Sequence, residues 1–161
     1  MDKANDAASG RTGGIIEPQE VLKRLPHRYP FLLVDRAVEY IAETSIRGIK
    51  CVTYNEPYFP GHFPQEPVMP GVLQIEAMAQ TGALLMSKSL EVDVTKNSIL
   101  FMSVDNARFR RPVRPGDVLE MPVKVLFYRR NIFKFSGRAE VNGELAAECE
   151  FAAMKVELNQ A

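Results

Sequence analysis

Histidine and cysteine are scarce in this 161-residue chain, with two of each: His27, His62, Cys51 and Cys149. The cysteines form no Cys-x-x-Cys pair and have no histidine at ligand spacing, which argues against a zinc site or a disulfide framework and favours a reducing compartment. There is no Gly-rich phosphate loop and no run of ligating residues, so neither a pyridine nucleotide nor a metal is implied as cofactor. Charge of one sign is not in excess either, since 20 Lys plus Arg face 20 Asp plus Glu. The balance gives no reason to expect nucleic acid or a membrane surface as partner. No apolar run approaches the roughly 18 residues of a membrane span, and the small, polar residues at the N-terminus lack the apolar core of a secretory signal. A soluble, cytoplasmic protein is the expectation, with a disordered tail over residues 1–16 and one domain over residues 17–161. Such a length buries roughly 70% of the surface of the unfolded chain in a single core, without a metal or disulfide staple.

Proline, in contrast, is concentrated. Pro57, Pro60, Pro64, Pro67 and Pro70 fall within residues 54–70, a stretch that must be loop with at most one helical turn. Before it, residues 17–24 read as a short helix with Pro18 in its first turn, and residues 31–40 and 44–53 read as strands. After it, residues 71–88 form the one long helix. In residues 72–86 only Gln74, Glu76, Gln80, Thr81 and Gly82 are neither hydrophobic nor alanine, and a helix apolar nearly all round is buried. The remainder alternates with the period of a strand. Residues 98–110, 119–128, 133–141 and 144–157 are the expected strands, with Asn142-Gly143 as a hairpin turn. The pattern predicts an α+β domain: a single antiparallel sheet wrapped around one long central helix.

Three features could act together at the junction of loop and helix. His62 sits in Gly61-His62-Phe63-Pro64, and imidazole suits proton abstraction near neutral pH. Glu76 interrupts the apolar helix, where burial pushes a carboxyl group towards its protonated form, able to protonate a departing hydroxide. The free amides at Gly71 and Val72 can polarise a carbonyl that gains negative charge. These parts fit removal of a proton beside a thioester carbonyl with loss of a β-hydroxyl. Glu76 lies roughly 7.5 Å along the helix axis from Gly71, and the sequence leaves open whether His62 of the same chain reaches the same substrate. Plainer readings exist: His62 bonded to backbone, Glu76 paired with an Arg, and His27, with no acidic neighbour in sequence, as a structural residue.

Four segments carry a resemblance: Leu25-Pro26-His27-Arg28-Tyr29-Pro30 running on to Arg36; Gly61-His62-Phe63-Pro64; Met69-Pro70-Gly71-Val72-Leu73 with Glu76 and Gln80; and Ala107-Arg108-Phe109-Arg110-Arg111-Pro112-Val113 with Pro115-Gly116-Asp117. In this order and spacing, over about residues 17–157, the chain resembles the FabZ-type (3R)-hydroxyacyl-[acyl-carrier-protein] dehydratases of type II fatty acid synthesis. The resemblance implies the hot-dog fold, dimers that often assemble as hexamers, and conversion of a 3-hydroxyacyl thioester to a trans-2-enoyl thioester and water. It implies His62 as base and Glu76 as acid, the two meeting across the dimer interface, with Gly71 and Val72 holding the thioester and Phe101 lining the acyl tunnel. Three alternatives share the fold. The FabA-type dehydratase and isomerase resembles the chain at Gly61-His62-Phe63-Pro64 but typically has Asp where Glu76 stands; a hot-dog thioesterase usually lacks this loop; a non-catalytic acyl-carrier-binding module has no need of both His62 and Glu76.

The neutral total hides a local excess. From Arg108 to Arg138 there are nine basic residues against Asp117 and Glu120. Positive charge near the tunnel would steer an acidic acyl carrier protein and its phosphate-bearing arm, and Arg129, Arg130 and Lys134 at a hairpin are the candidates for docking it.

Overall fold

A computed structural model describes residues 13–158. Its elements are β1 (Gly14–Ile16), α1 (Pro18–Arg24), β2 (Arg36–Ile41), β3 (Ser45–Cys51), a 3₁₀ turn (Phe59–Gly61), α2 (Gly71–Ser89), β4 (Asn97–Phe109), β5 (Val118–Arg129), β6 (Ile132–Val141) and β7 (Glu144–Glu157). All seven strands join one antiparallel sheet in the order β1-β2-β3-β5-β6-β7-β4. This is the single antiparallel sheet around one long helix that the sequence pattern predicts, and the hot-dog fold that the resemblance implies. The alternation in β6 has a clear outcome: Phe133, Phe135, Ala139 and Val141 are buried while Lys134 and Arg138 face outward. Asn142 and Gly143 both have positive φ, +50° and +78°, the conformation that a tight turn between twisted strands demands.

The sheet curls around α2, whose residues 80–87 are all buried. A helix can enter a sheet's concave face this closely only where side chains are missing. Gly48 on β3 supplies one such point, since a Cβ there would lie 2.3 Å from Oγ1 of Thr81 and 2.8 Å from its Cγ2. On the opposite wall Phe135 and Phe151 stack at 5.0 Å and 25°, filling the space beside Gly82.

Two boundaries differ from expectation for physical reasons. Gly14–Ile16, assigned from the sequence to the tail, pair with β2 as β1, and Ile16 is fully buried; a branched apolar side chain with a hydrophobic site available does not stay in solvent. The first twelve residues of the expected tail lie outside the described residues. The expected strand over residues 31–40 starts only at Arg36. Leu33 and Val34 are buried as irregular chain instead, because the side chain of Gln80 takes the N–H of Leu33 (2.8 Å) and donates to the carbonyl of Phe31 (2.8 Å). That amide stands in for the neighbouring strand that would otherwise satisfy the backbone.

Among the described residues no helix is long and apolar enough to cross a membrane. Gly48→Ala is expected to lower folding stability by about 1–3 kcal/mol, because buried Thr81 has no room to move; urea unfolding of parent and variant measures it.

Candidate active site

Too rich in proline for strand or helix, the connection between β3 and α2 is held by short-range bonds. His62 N–H donates to Phe59 O (3.1 Å), Val68 N–H to His62 O (2.9 Å) and Met69 N–H to Val113 O (2.8 Å). Beneath its start, nearly buried Lys50 pairs with Glu56 at 2.5 Å. This scaffold presents His62 at the end of the 3₁₀ turn. The Nδ1 of His62 lies 2.7 Å from the carbonyl oxygen of Val68. A carbonyl only accepts, so Nδ1 carries a proton, and in the neutral ring the lone pair is on Nε2. The backbone bond foreseen for a structural loop histidine is present, and it selects the tautomer a general base needs.

His62 lines a cavity of about 540 Å³ together with Val68, Gly71, Val72, Gln74 and Phe109. Helix α2 begins in its wall with Pro70 as N-cap, a residue with no side-chain acceptor for the first amides. Glycine at position 71 follows from Phe109, whose ring would lie 2.6 Å from a Cβ there. The helix N-terminus, with its partial positive charge, therefore shares one cavity with an imidazole.

Glu76 does not line that cavity. It lies in a separate crevice of about 30 Å³ with His27, Ala79, Gln80, Ile99 and Phe101. Gln80 donates to Glu76 Oε1 at 3.0 Å, one helical turn away, and His27 Nε2 stands 3.6 Å from the same oxygen. Burial raises the pKa of Glu76, partly opposed by the Gln80 hydrogen bond. Burial, and then the charge of Arg28, lower that of His27. Both groups are pushed towards their neutral forms. The Arg partner considered for Glu76 is not what surrounds it, and His27, without an acidic neighbour in sequence, has Glu76 beside it in space. Tertiary folding brings residues 27 and 76 together, which local reading could not foresee.

The structure thus gathers His62, Gly71 and Val72 at one site and Glu76 and Phe101 at another. Phe101, on β4, also packs edge-on against Phe151 at 6.1 Å. Arg129 and Arg130 are exposed around the β5–β6 turn, while Lys134 pairs with Glu150 at 3.1 Å. None of these three lines either pocket; the basic residues in the wall of the His62 cavity are Arg110 and Arg111. Sequence reasoning missed His27 and Gln80 as neighbours of the carboxyl group. The spacing of Glu76 and Gln80 by four residues on one helix face was the available signal.

Comparison with known proteins places the chain in a family. Residues 25–150 match the model of the FabA-like domain family. The chain is 68% identical over 142 residues to a Caulobacter vibrioides protein named 3-hydroxyacyl-[acyl-carrier-protein] dehydratase FabZ, covering 88% of this chain and 89% of that one. A protein of the same name from Paramagnetospirillum magneticum is 49% identical over 154 residues, 96% of each chain. A chain of the dehydratase heterocomplex ApeI:P from Xenorhabdus doucetiae shares the fold, with TM-score 0.73 at 18% identity over 87% of this chain and 91% of that one. With the family model matched over residues 25–150 and this degree of identity over most of its length, the chain belongs to the FabZ family of 3-hydroxyacyl-[acyl-carrier-protein] dehydratases, within the FabA-like domain family.

Proposed function

We propose that the chain dehydrates (3R)-hydroxyacyl-[acyl-carrier-protein] to the trans-2-enoyl form in cytoplasmic fatty acid elongation, at sites that pair His62 with Glu76 of the partner subunit. The observation that carries the reading is the lone pair on Nε2 of His62, fixed by the Val68 carbonyl in a cavity where the N-terminus of α2 begins. Nε2 takes the proton from C2 of the acyl chain. The electron pair of that bond becomes the C2=C3 π bond, the C3–O bond breaks, and the departing oxygen takes a proton from the Glu76 carboxyl group to leave as water. Charge accumulating on the thioester oxygen meets the amides of Gly71 and Val72. A carboxyl group held towards neutrality by burial is suited to that donation.

Two observations favour a shared site. Within one chain His62 and Glu76 face different pockets, which supports a site completed by a second subunit. Edge strand β4 exposes Leu100, Phe101, Met102 and Val104, each more than 40% accessible; a long apolar edge of this kind suits coverage by a second copy. Phe101 then lines the acyl tunnel from the Glu76 side, and three dimers are the expected larger assembly. Arg110 and Arg111 beside the cavity, with Arg129 and Arg130 on the hairpin, would attract the acidic carrier and the phosphate of its arm; Lys134 is included in that surface although Glu150 neutralises it.

His62→Ala and Glu76→Gln are each expected to lower turnover of a 3-hydroxyacyl carrier thioester by about 10²–10⁴-fold, followed by enoyl absorbance. Unaltered turnover in either rejects the roles, thiol release instead of enoyl formation points to a thioesterase, and carrier binding without turnover to a binding module. Mixing the two inactive variants under exchange of subunits should restore about one quarter of parental activity, since half the dimers then hold one intact site; no recovery places both groups in one chain.

Stability supplies a further check. Folded Glu76 binds its proton more tightly than the unfolded chain does, so its contribution is present at low pH and is lost as pH rises from the ordinary 4.5 through the raised value. Glu76→Gln, neutral throughout, should melt above the parent near pH 7 and close to it near pH 4 in calorimetry.

A further inference from the structure

Gln74 is a buried polar residue in the wall of the His62 cavity with an unmet hydrogen bond. It is 3% exposed, and its Oε1 is buried without a partner. A buried amide oxygen lacking a donor destabilises the fold, which makes it a place to expect a ligand. Gln74 lies three residues after Gly71, one turn further along the same helix face and about 4.5 Å down the axis. Along this face exposure falls from a half-buried Gly71 to 3% at Gln74. Gln74 is therefore on the deep side of the helix N-terminus, where the acyl portion of a thioester reaches, while the carrier's arm stays towards the mouth.

Around its reacting carbons, an acyl thioester offers a carbonyl oxygen and a sulfur, both acceptors. The 3-hydroxyl is the one group there that donates. We infer that the Gln74 carboxamide accepts a hydrogen bond from the substrate's 3-hydroxyl and so determines selection of the hydroxyacyl form. The inference rests on the dehydration proposed above. Held this way, the hydroxyl hydrogen points to Gln74 while a lone pair on the same oxygen stays available for the proton from the carboxyl group. When the C3–O bond has broken, the enoyl chain has no donor left for Gln74, which favours its release over retention.

The test is binding in a His62→Ala background, where the C2 proton is not taken and the substrate persists. A 3-hydroxyacyl pantetheine thioester and the saturated acyl pantetheine thioester of equal length are titrated by calorimetry. The hydroxyl form should bind about tenfold more tightly. Adding Gln74→Met, or Gln74→Leu if the first folds poorly, should abolish that preference with little effect on the saturated ligand. Equal binding of the two ligands to the His62→Ala protein itself overturns the inference without any Gln74 variant. A preference that survives the Gln74 substitutions, with or without a change in oligomeric state, also overturns it and assigns Gln74 to packing or to the subunit interface. Turnover by the parental chain is measured alongside: dehydration without a Gln74-dependent preference removes this contact alone, whereas absent dehydration removes both it and the proposed function.

Discussion

Burial of α2 inside the curled sheet is the constraint on which the rest of the structure depends. Over residues 80–87 every side chain is enclosed, so the helix gains apolar burial on all sides and each polar group on it must find a partner within the protein or in a ligand. Thr81 meets this by bonding back to the carbonyl of Ala77 at 2.8 Å. Gln80 does so by reaching the chain at Phe31 and Leu33. Gln74 Oε1, nearer the open end, and Ser87 Oγ, near the other, do not. Enclosure also sets the chemistry: the same desolvation that packs the helix keeps the Glu76 carboxyl group towards its protonated form.

Gln80 connects fold and chemistry directly. With both ends of its carboxamide used, it ties residues 31–33 to the helix and holds Oε1 of Glu76. Tying down that segment fixes the chain just after His27, whose ring stands against the same carboxyl oxygen. A hydrogen bond from Gln80 to a carboxylate favours ionisation, burial opposes it, and burial is the larger effect. The carboxyl group is thus positioned by one influence and neutralised by another. His62 is set differently, through backbone alone: a loop too proline-rich to form regular structure supplies the Val68 carbonyl that fixes its tautomer.

Electrostatic reading of the chain changes when the strands are placed side by side. The basic run from Arg108 to Arg138 meets acidic residues of β7, β6 and the proline-rich loop: Arg110 with Glu148, Arg138 with Glu140, Lys134 with Glu150, Arg114 with Glu66. Partly exposed pairs of this kind add little stability, but they reduce the local field that the sequence suggests. Arg129 and Arg130, exposed on the β5–β6 turn, lie away from both pockets, and Arg110 and Arg111 beside the His62 cavity directly follow β4.

Much of the architecture follows from local rules. An apolar helix with few interruptions has to be enclosed, alternating segments such as residues 133–141 have to form half-buried strands, Asn142-Gly143 has to turn, and five prolines within residues 54–70 have to break regular structure; each depends on neighbours along the chain. His62 and Glu76 were legible for the same reason, as an imidazole in a rigid loop and a carboxyl group on a buried helix. Relations between distant residues were not legible. The apolar run from Phe31 to Val34 looks like a strand, and a single glutamine 47 residues beyond Leu33 makes it irregular; Ile16 looks like part of a tail until β2 offers it a site. Only the tertiary structure brought His27 to Glu76 and sent Glu76 to a different pocket from His62. An imidazole in a rigid loop and a carboxyl group on a buried helix were set by the sequence alone, because side-chain type and local backbone preference are written residue by residue. Which groups face one another was decided by sheet order and helix rotation, which depend on contacts across the whole chain.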